Sequence, residues 1–389
     1  MKKTLALILS LSMALALFGC GGSEPTGGTK TTDPEPTETE NEGTPVDPVF
    51  TEDAPRALID MASGIKLVGR TSVTKYGQNI DYPGSGFELH ADFQDTALTV
   101  NYTIDKKVNI AAFVDGEPYE RYLVEGRGTV TIPNLSGEHT VKFVRDGETK
   151  DGNQSLFTKV AFNGTLLEKP ADKDFYIEAI GDSIVSGNGI LTKDNTPGVL
   201  WDAADHSATN AFAYQVATAL DADLSIIGRG SIGMVKEVED IDGAKFAMPA
   251  LYKLTTGLSK ATREEFDFST ARVPDLILLE VSTNDRSTVD SASFKKAATE
   301  FIKDIRASYG KDVPILWVHD LMIEDHHKTE IGEIATELGG EAAGIYTLQL
   351  TPGQDGGRGT QEGTCHPSLE NQTVHANEIL SFIQEKKLK

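Results

Sequence analysis

"FYIEAIGDSIVSGNG", residues 175–189, joins a short apolar run to a glycine-rich bend that carries Asp182 and Ser183 at its tip. The run reads as a buried strand, and Gly, Asp and Ser then favour a turn for plain conformational reasons. A serine at that place is either an ordinary turn residue or a nucleophile held at a strand's carboxyl end. The choice depends on whether the rest of the chain supplies a base, oxyanion donors and a suitable compartment.

The same strand pattern recurs along the C-terminal half. Apolar runs at 223–227, 275–281, 313–318 and 344–350 follow the one at 175–180. Between them lie helical patterns: 209–221 spaces Phe212, Val216 and Leu220 four apart, and 291–309 puts Phe294, Ala298, Phe301, Ile302 and Ile305 on one face before Gly310 stops it. Continuous apolar strands alternating with amphipathic helices predict an α/β fold, a doubly wound parallel sheet covered on both faces. Residues 57–166 differ: "GFELHADF", "ALTVNYTI", "GTVTIP", "HTVKFVRDGE" and "FTKVAFNGT" alternate with period two and are punctuated by DG, NG and SG turns. That pattern predicts a small antiparallel β-sandwich of jelly-roll type ahead of the α/β part.

The N-terminus addresses the compartment. "MKKTLALILSLSMALALFGC" has two lysines, an apolar run too short to span a membrane and then Cys20. Leu17-Phe18-Gly19-Cys20 resembles a bacterial lipobox, which implies cleavage before Cys20 and lipid attachment there. Residues 20–54 are rich in Gly, Pro, Thr and Glu, with little to bury, and predict a disordered acidic stalk. The expected organisation is a signal peptide over 1–19, the stalk over 20–54, the sandwich over 55–170 and the α/β domain over 171–389, displayed outside the cytoplasm as a membrane-anchored lipoprotein. Of the net charge of −23, eight units sit in residues 21–54, which hold nine acids and one lysine. The chain has no basic footprint for nucleic acid. With Cys20 lipidated, Cys365 has no partner for an intrachain disulfide, so stability must come from apolar cores. The sequence leaves the oligomeric state open, with a monomer as the working expectation.

Ligands of open parallel sheets bind beyond the carboxyl ends of the strands. After the first strand come Gly181-Asp182-Ser183, after the second "GRGSIGM" (228–234), after the third "STNDR" (282–286), and after the last a loop ending "GTCHPS" (363–368). A serine, a small-residue turn, the Asn284 amide and His366 would meet at one rim. They are the parts of an acyl-transfer site: nucleophile, oxyanion donors and base. Pro367 suits a first helical position, which would place His366 at or just before a helix N-terminus and favour its neutral form. "GRGSIG" also fits the dinucleotide pattern, but it follows the second strand and lacks an acid about twenty residues on. It reads instead as a turn that exposes backbone N–H groups. "EDHH" (324–327) and His206 lack metal-ligand spacing, and Cys365 reads as a small packed thiol, so no metal or other cofactor is expected.

Taken together, "GDS", the small-residue turn, "TND" and a late "HPS" resemble the SGNH, or GDSL-like, hydrolase superfamily. "IKLVGRT" (65–71), "GEHTVKFVRDGE" (137–148), "FDFSTARVPDLILLEVSTND" (266–285) and "CHPS" (365–368) narrow the resemblance to carbohydrate esterase family 2, over roughly residues 60–389. The resemblance implies that Ser183 attacks an acetyl ester of a polysaccharide and that His366 is the general base. The oxyanion would be held by the Ser183 N–H, the Asn284 side chain and a backbone N–H near Gly230, with Gly228 and Ser231 as the other candidates in that turn. Two positions depart from the family pattern: Ser282 stands where glycine is usual, and Gly363 where most of the superfamily has aspartate. The second departure implies a Ser-His dyad. A lipase or thioesterase of the same superfamily, or a non-catalytic glycan-binding lipoprotein, are the competing readings.

Overall fold

The computed structural model describes residues 48–148, 154–192, 202–236, 246–256, 263–285, 289–310, 312–322, 327–353 and 366–389. The signal peptide, Cys20 and most of the stalk lie outside them, as do Glu362, Gly363, Thr364 and Cys365. Val46–Lys389 form one compact unit.

The alternating segments build a curled antiparallel sheet of nine strands. Two strands dominate it, β1 (Gly86–Val114) and β2 (Glu117–Arg145), each 29 residues long. They are joined at Asp115-Gly116, where φ is 53° and 85°. Positive φ at both central residues is what a tight hairpin turn demands, and Asp-Gly supplies it at low cost. The separate short strands expected here are merged. Register shifts at Phe93/Thr96 and Ile104/Val108 absorb the turn-forming residues as irregularities within a continuous ladder. Curling brings Ile110–Val114 into register with both Glu117–Tyr122 and Val141–Arg145. The inward residues, including Phe87, Leu89, Val100, Ile132, Val141, Phe143 and Phe157, close a core.

The last residues that the sequence assigns to a stalk join the antiparallel sheet instead. Val49–Phe50 pairs with Gly164–Thr165, and the Phe50 ring stacks on Phe162 at 4.5 Å. A phenylalanine with an apolar partner gains more by burial than a solvated linker could return, about 1.5–3 kcal/mol.

The later segments form the parallel sheet as expected, with β4 (Phe175–Gly181), β5 (Ala222–Gly228), β6 (Leu276–Glu280), β7 (Ile315–His319) and β8 (Ile345–Gln349) in the order β5-β4-β6-β7-β8. β3 (Ser155–Ala161) belongs to the antiparallel sheet. Helices α2 (Ser291–Tyr309) and α3 (Lys328–Glu337) cover one face of the parallel sheet, and α1 (Phe212–Ala219) and α4 (Leu369–Lys386) cover the other. Gly310 ends α2 with φ 65°, as its position predicted. The helix expected over 209–221 is shorter, because Ala208–Asn210 form a 3₁₀ turn ahead of α1. Helix α4 starts at Leu369. Ser368 is its N-cap and accepts the Asn371 N–H at 3.3 Å, so Pro367 lies before the cap and His366 one residue further out. A serine hydroxyl satisfies an orphan N–H, which neither His366 nor Pro367 can do from that place.

The strand order reverses at β4, since the chain leaves it for β5 on one side and later for β6 on the other. The crevice above β4 is therefore the expected ligand position. The two sheets meet through buried charge. Glu178, midway along β4, accepts from Arg70 at 2.9 Å, from the Tyr252 hydroxyl at 2.8 Å and from the Tyr309 hydroxyl at 3.0 Å, while the Arg70 guanidinium lies over the Phe266 ring at 3.9 Å. Removing either charged partner alone strands the other in the interior, at a cost of about 3–5 kcal/mol.

Candidate active site

The turn after β4 is organised by Asp182, which is fully buried. Its Oδ1 accepts the Ile184 N–H at 2.9 Å, and its Oδ2 accepts from the Asn284 amide at 2.8 Å. The aspartate therefore ties the turn that follows β4 to the turn that follows β6. Ser183 is 8% exposed, enough to meet a ligand while its neighbours stay buried.

The structure brings Ser183 and His366 together. Ser183 Oγ and His366 Nε2 are 2.7 Å apart, whereas Oγ and Asp182 Oδ1 are 3.4 Å apart, so the shorter path for the hydroxyl proton runs to the imidazole. For Nε2 to accept that proton, the ring must carry its own on Nδ1. The positioning of His366 comes from α4. The helix is anchored by Gln372, whose Oε1 accepts the Phe212 N–H at 2.9 Å and whose Nε2 donates to the Ile184 carbonyl at 3.2 Å, and by the Leu369 N–H bonded to the Ile190 carbonyl. One helix thereby grips the loop that carries Ser183.

Asn284 sits on the same rim with its amide nitrogen 2.8 Å from Asp182 Oδ2 and 2.9 Å from the Ile232 carbonyl oxygen. Both of its amide hydrogens thus face acceptors in this structure. The turn that follows β5 is pinned from below by Asp285, whose carboxylate accepts the Met234 N–H at 2.6 Å and the Val235 N–H at 2.8 Å. Burial pushes the Asp285 carboxyl up, against the Val235 and Met234 N–H groups that favour its charge.

The three backbone candidates of that turn differ. Gly228 is the last ladder residue of β5, paired with Gly181. The Gly230 N–H donates to the Glu148 carboxylate. Ser231 has φ 65°, and no acceptor for its N–H lies among the described residues. A non-glycine residue in the left-handed region is uncommon and clusters at functional sites.

His206 lies behind the serine loop, its Nδ1 accepting the Gly189 N–H at 2.9 Å. His327, the one described member of "EDHH", stacks on Phe294 at 4.1 Å. Among the described residues no group of three or more His, Cys, Asp or Glu is placed to hold a metal ion. Sequence reasoning passed over Glu148, Asn188 and Asp285. Only Asp285 had a local signal, since it adjoins Asn284; the other two act across the chain.

The five-stranded parallel sheet in this order, with Ser183 and His366 paired above the strand where the order reverses and Asn284 beside them, is the arrangement expected from the sequence. No family profile matches the sequence, and no curated protein matches it. Solved structures do. The chain is similar to a family two carbohydrate esterase from Clostridium thermocellum in complex with cellohexaose, at 23% identity over 83% of this chain and 99% of that one, with a TM-score of 0.71. It is similar to the acetyl xylan esterase Est2A from Butyrivibrio proteoclasticus, at 18% identity over 86% and 99% with a TM-score of 0.73. A family two carbohydrate esterase from Cellvibrio japonicus gives 20% identity over 86% and 98%, with a TM-score of 0.73. The fold of this chain is that of the family two carbohydrate esterases, over nearly the whole length of each.

Proposed function

We propose that this protein is a serine esterase that removes O-acetyl groups from polysaccharide, with the curled sheet acting as a jelly-roll-type partner of the catalytic sheet. The observation that carries the reading is the 2.7 Å approach of Ser183 Oγ to His366 Nε2 at the crevice above β4. His366 takes the hydroxyl proton as Ser183 Oγ bonds to the acetyl carbon. It then passes that proton to the sugar oxygen as the ester C–O bond breaks, leaving an acetyl-serine and a free hydroxyl on the glycan. Water repeats the sequence: His366 takes one of its protons as the remaining hydroxide adds to the acetyl carbon, Oγ regains that proton from His366 as the acyl C–Oγ bond breaks, and acetic acid leaves, ionising to acetate in water.

The oxyanion formed in each half is met by the Ser183 N–H, a backbone N–H of the 228–231 turn and the Asn284 amide. Of the turn's candidates Ser231 suits best, since the Gly230 N–H is engaged by Glu148. The Asn284 N–H that faces the Ile232 carbonyl turns to the oxyanion as charge develops, because hydrogen bonds to a charged acceptor are roughly twice as strong as neutral ones. The carbohydrate named for the Clostridium thermocellum enzyme supports a glycan as the alcohol part of the ester.

Acyl-chain length tests this reading against a lipase or thioesterase. Turnover of 4-nitrophenyl esters is expected to fall steeply from acetate to octanoate, since a shallow site gains nothing from methylenes that a deep one would bury at about 0.8 kcal/mol each. A preference for octanoate would move the protein to the lipase reading, and inertness toward every ester to a glycan-binding one. The lipobox-like "LFGC" motif and the acidic stretch after it support a location on the outer side of a membrane, with the anchor at Cys20. Labelled fatty acid should enter the wild type and be absent from Cys20→Ser; label retained by the variant would remove the anchor.

A further inference from the structure

The antiparallel sheet does more than stand beside the catalytic one. At the end of β2 the chain runs Arg145-Asp146-Gly147-Glu148 and carries two carboxylates into the α/β part. Asp146, fully buried, accepts from the Ser207 hydroxyl at 3.0 Å and the Thr209 N–H at 2.7 Å, on the segment behind the serine loop. Glu148 reaches the rim itself. It is 4% exposed, its Oε1 accepts from the Asn188 amide at 2.6 Å, and its Oε2 accepts the Gly230 N–H. Asn188 belongs to the serine loop, where its own N–H bonds to the Ser183 carbonyl at 2.9 Å. Gly230 begins the turn that contains Ser231.

We infer that Glu148 is a positioning residue which clasps the serine loop to the oxyanion turn, so that a side chain from the segment leaving the antiparallel sheet sets the geometry of acyl transfer. The inference rests on the esterase reading above. Its chemistry is specific. Both partners are donors, so both oxygens of residue 148 must accept, and a carboxylate is the side chain of this length that offers two acceptors and no donor. Glycine at 230 belongs to the same device, because a Cβ there would overlap the Glu148 carboxylate. Arg145 lies in the same buried segment, where the Glu148 charge favours its own. That residue is fully buried, with its Nε donating to the Gly147 carbonyl at 2.7 Å and its Nη1 to the Ile80 carbonyl at 3.0 Å and the Ser155 hydroxyl at 2.9 Å. Burial drags the Arg145 pKa to about 10 against the opposing pull of Asp81 and Glu148.

Holding Gly230 by its N–H fixes the peptide plane that enters Gly230, so that only the φ and ψ of this one residue stand between the clasp and the direction of the Ser231 N–H. Misplacing one catalytic group by about 1 Å costs on the order of 10² in rate, and the loss falls on kcat because the ground-state ester gains little from the oxyanion donors.

The test is a polarity swap measured on 4-nitrophenyl acetate. Glu148→Gln leaves one acceptor facing two donors and should lower kcat about 10²-fold, with KM within about threefold of wild type. Asn188→Asp sets two carboxylates against each other and should also lower kcat. In the double variant the amide introduced at position 148 donates to the carboxylate introduced at position 188, while the carbonyl of that same amide accepts the Gly230 N–H. At least about tenfold of the lost kcat should then return. Circular dichroism and melting accompany each variant. If Glu148→Gln does not fold, the folded double variant decides. Recovery in the double variant supports the clasp. A Glu148→Gln enzyme with wild-type kcat, or a folded double variant as poor as the worse single one, overturns it while the esterase reading stands. A wild type that cleaves no acetyl ester overturns both.

Discussion

His366→Ala is expected to lower kcat on an acetyl ester by more than about 10³, within the range that deletion of a triad-type base produces. Without Nε2 at 2.7 Å the acceptor left to the Ser183 proton among the described residues is Asp182 Oδ1, 3.4 Å away, and that oxygen already accepts the Ile184 N–H. Glu362→Gln, by contrast, should cost less than about tenfold, set against the roughly 10⁴ lost when a triad carboxylate is removed from a site built around it. Glu362 is the acid closest in sequence before His366, and Gly363 stands where an aspartate is usual. In a dyad the Nδ1–H is held by a neutral acceptor, for which the Thr364 carbonyl is the proposed group, and the tautomer is set without an added charge. Steady-state kinetics on both variants decide the point. Comparable losses would make Glu362 the third member of a triad and refute the dyad.

Asn284→Ala carries the second large effect. Loss of an oxyanion donor should reduce kcat by about 10²–10³ while KM changes little, because the interaction grows with the charge of the transition state. The variant also removes the amide that holds Asp182 Oδ2, so a drop in melting temperature should accompany the loss. Asn284→Ala with wild-type kcat would restrict Asn284 to bracing Asp182.

The C-terminal half was readable because its signals are local. Five predominantly apolar runs separated by amphipathic helices admit one sheet class, and in that class the residues after each strand share a rim, which brings Ser183, Asn284 and His366 together from positions 183 residues apart at the extremes. The antiparallel half was legible in pattern and not in length. Period-two alternation identifies which residues face the core, but a bulge and a turn have the same Gly, Asp and Asn composition, so "HADFQDTALT" reads as a break and is continuous strand. Glu148 escaped notice for a related reason. An acid after Asp-Gly at a strand end is normally solvated, and only the tertiary approach of Gly230 and Asn188 makes it a buried acceptor. Pro367 misdirected the start of α4 by two residues because Ser368 supplies the better cap.

Acetate release from acetylated xylan, mannan and cell-wall glycans, measured side by side for the wild type and Ser183→Ala, tests the central claim most directly. The wild type is expected to liberate acetate from at least one of these polymers, and the folded Ser183→Ala protein, with a melting temperature near wild type, to liberate none. Equal release by the two proteins would show that Ser183 is not the nucleophile, and release by neither would contradict the esterase.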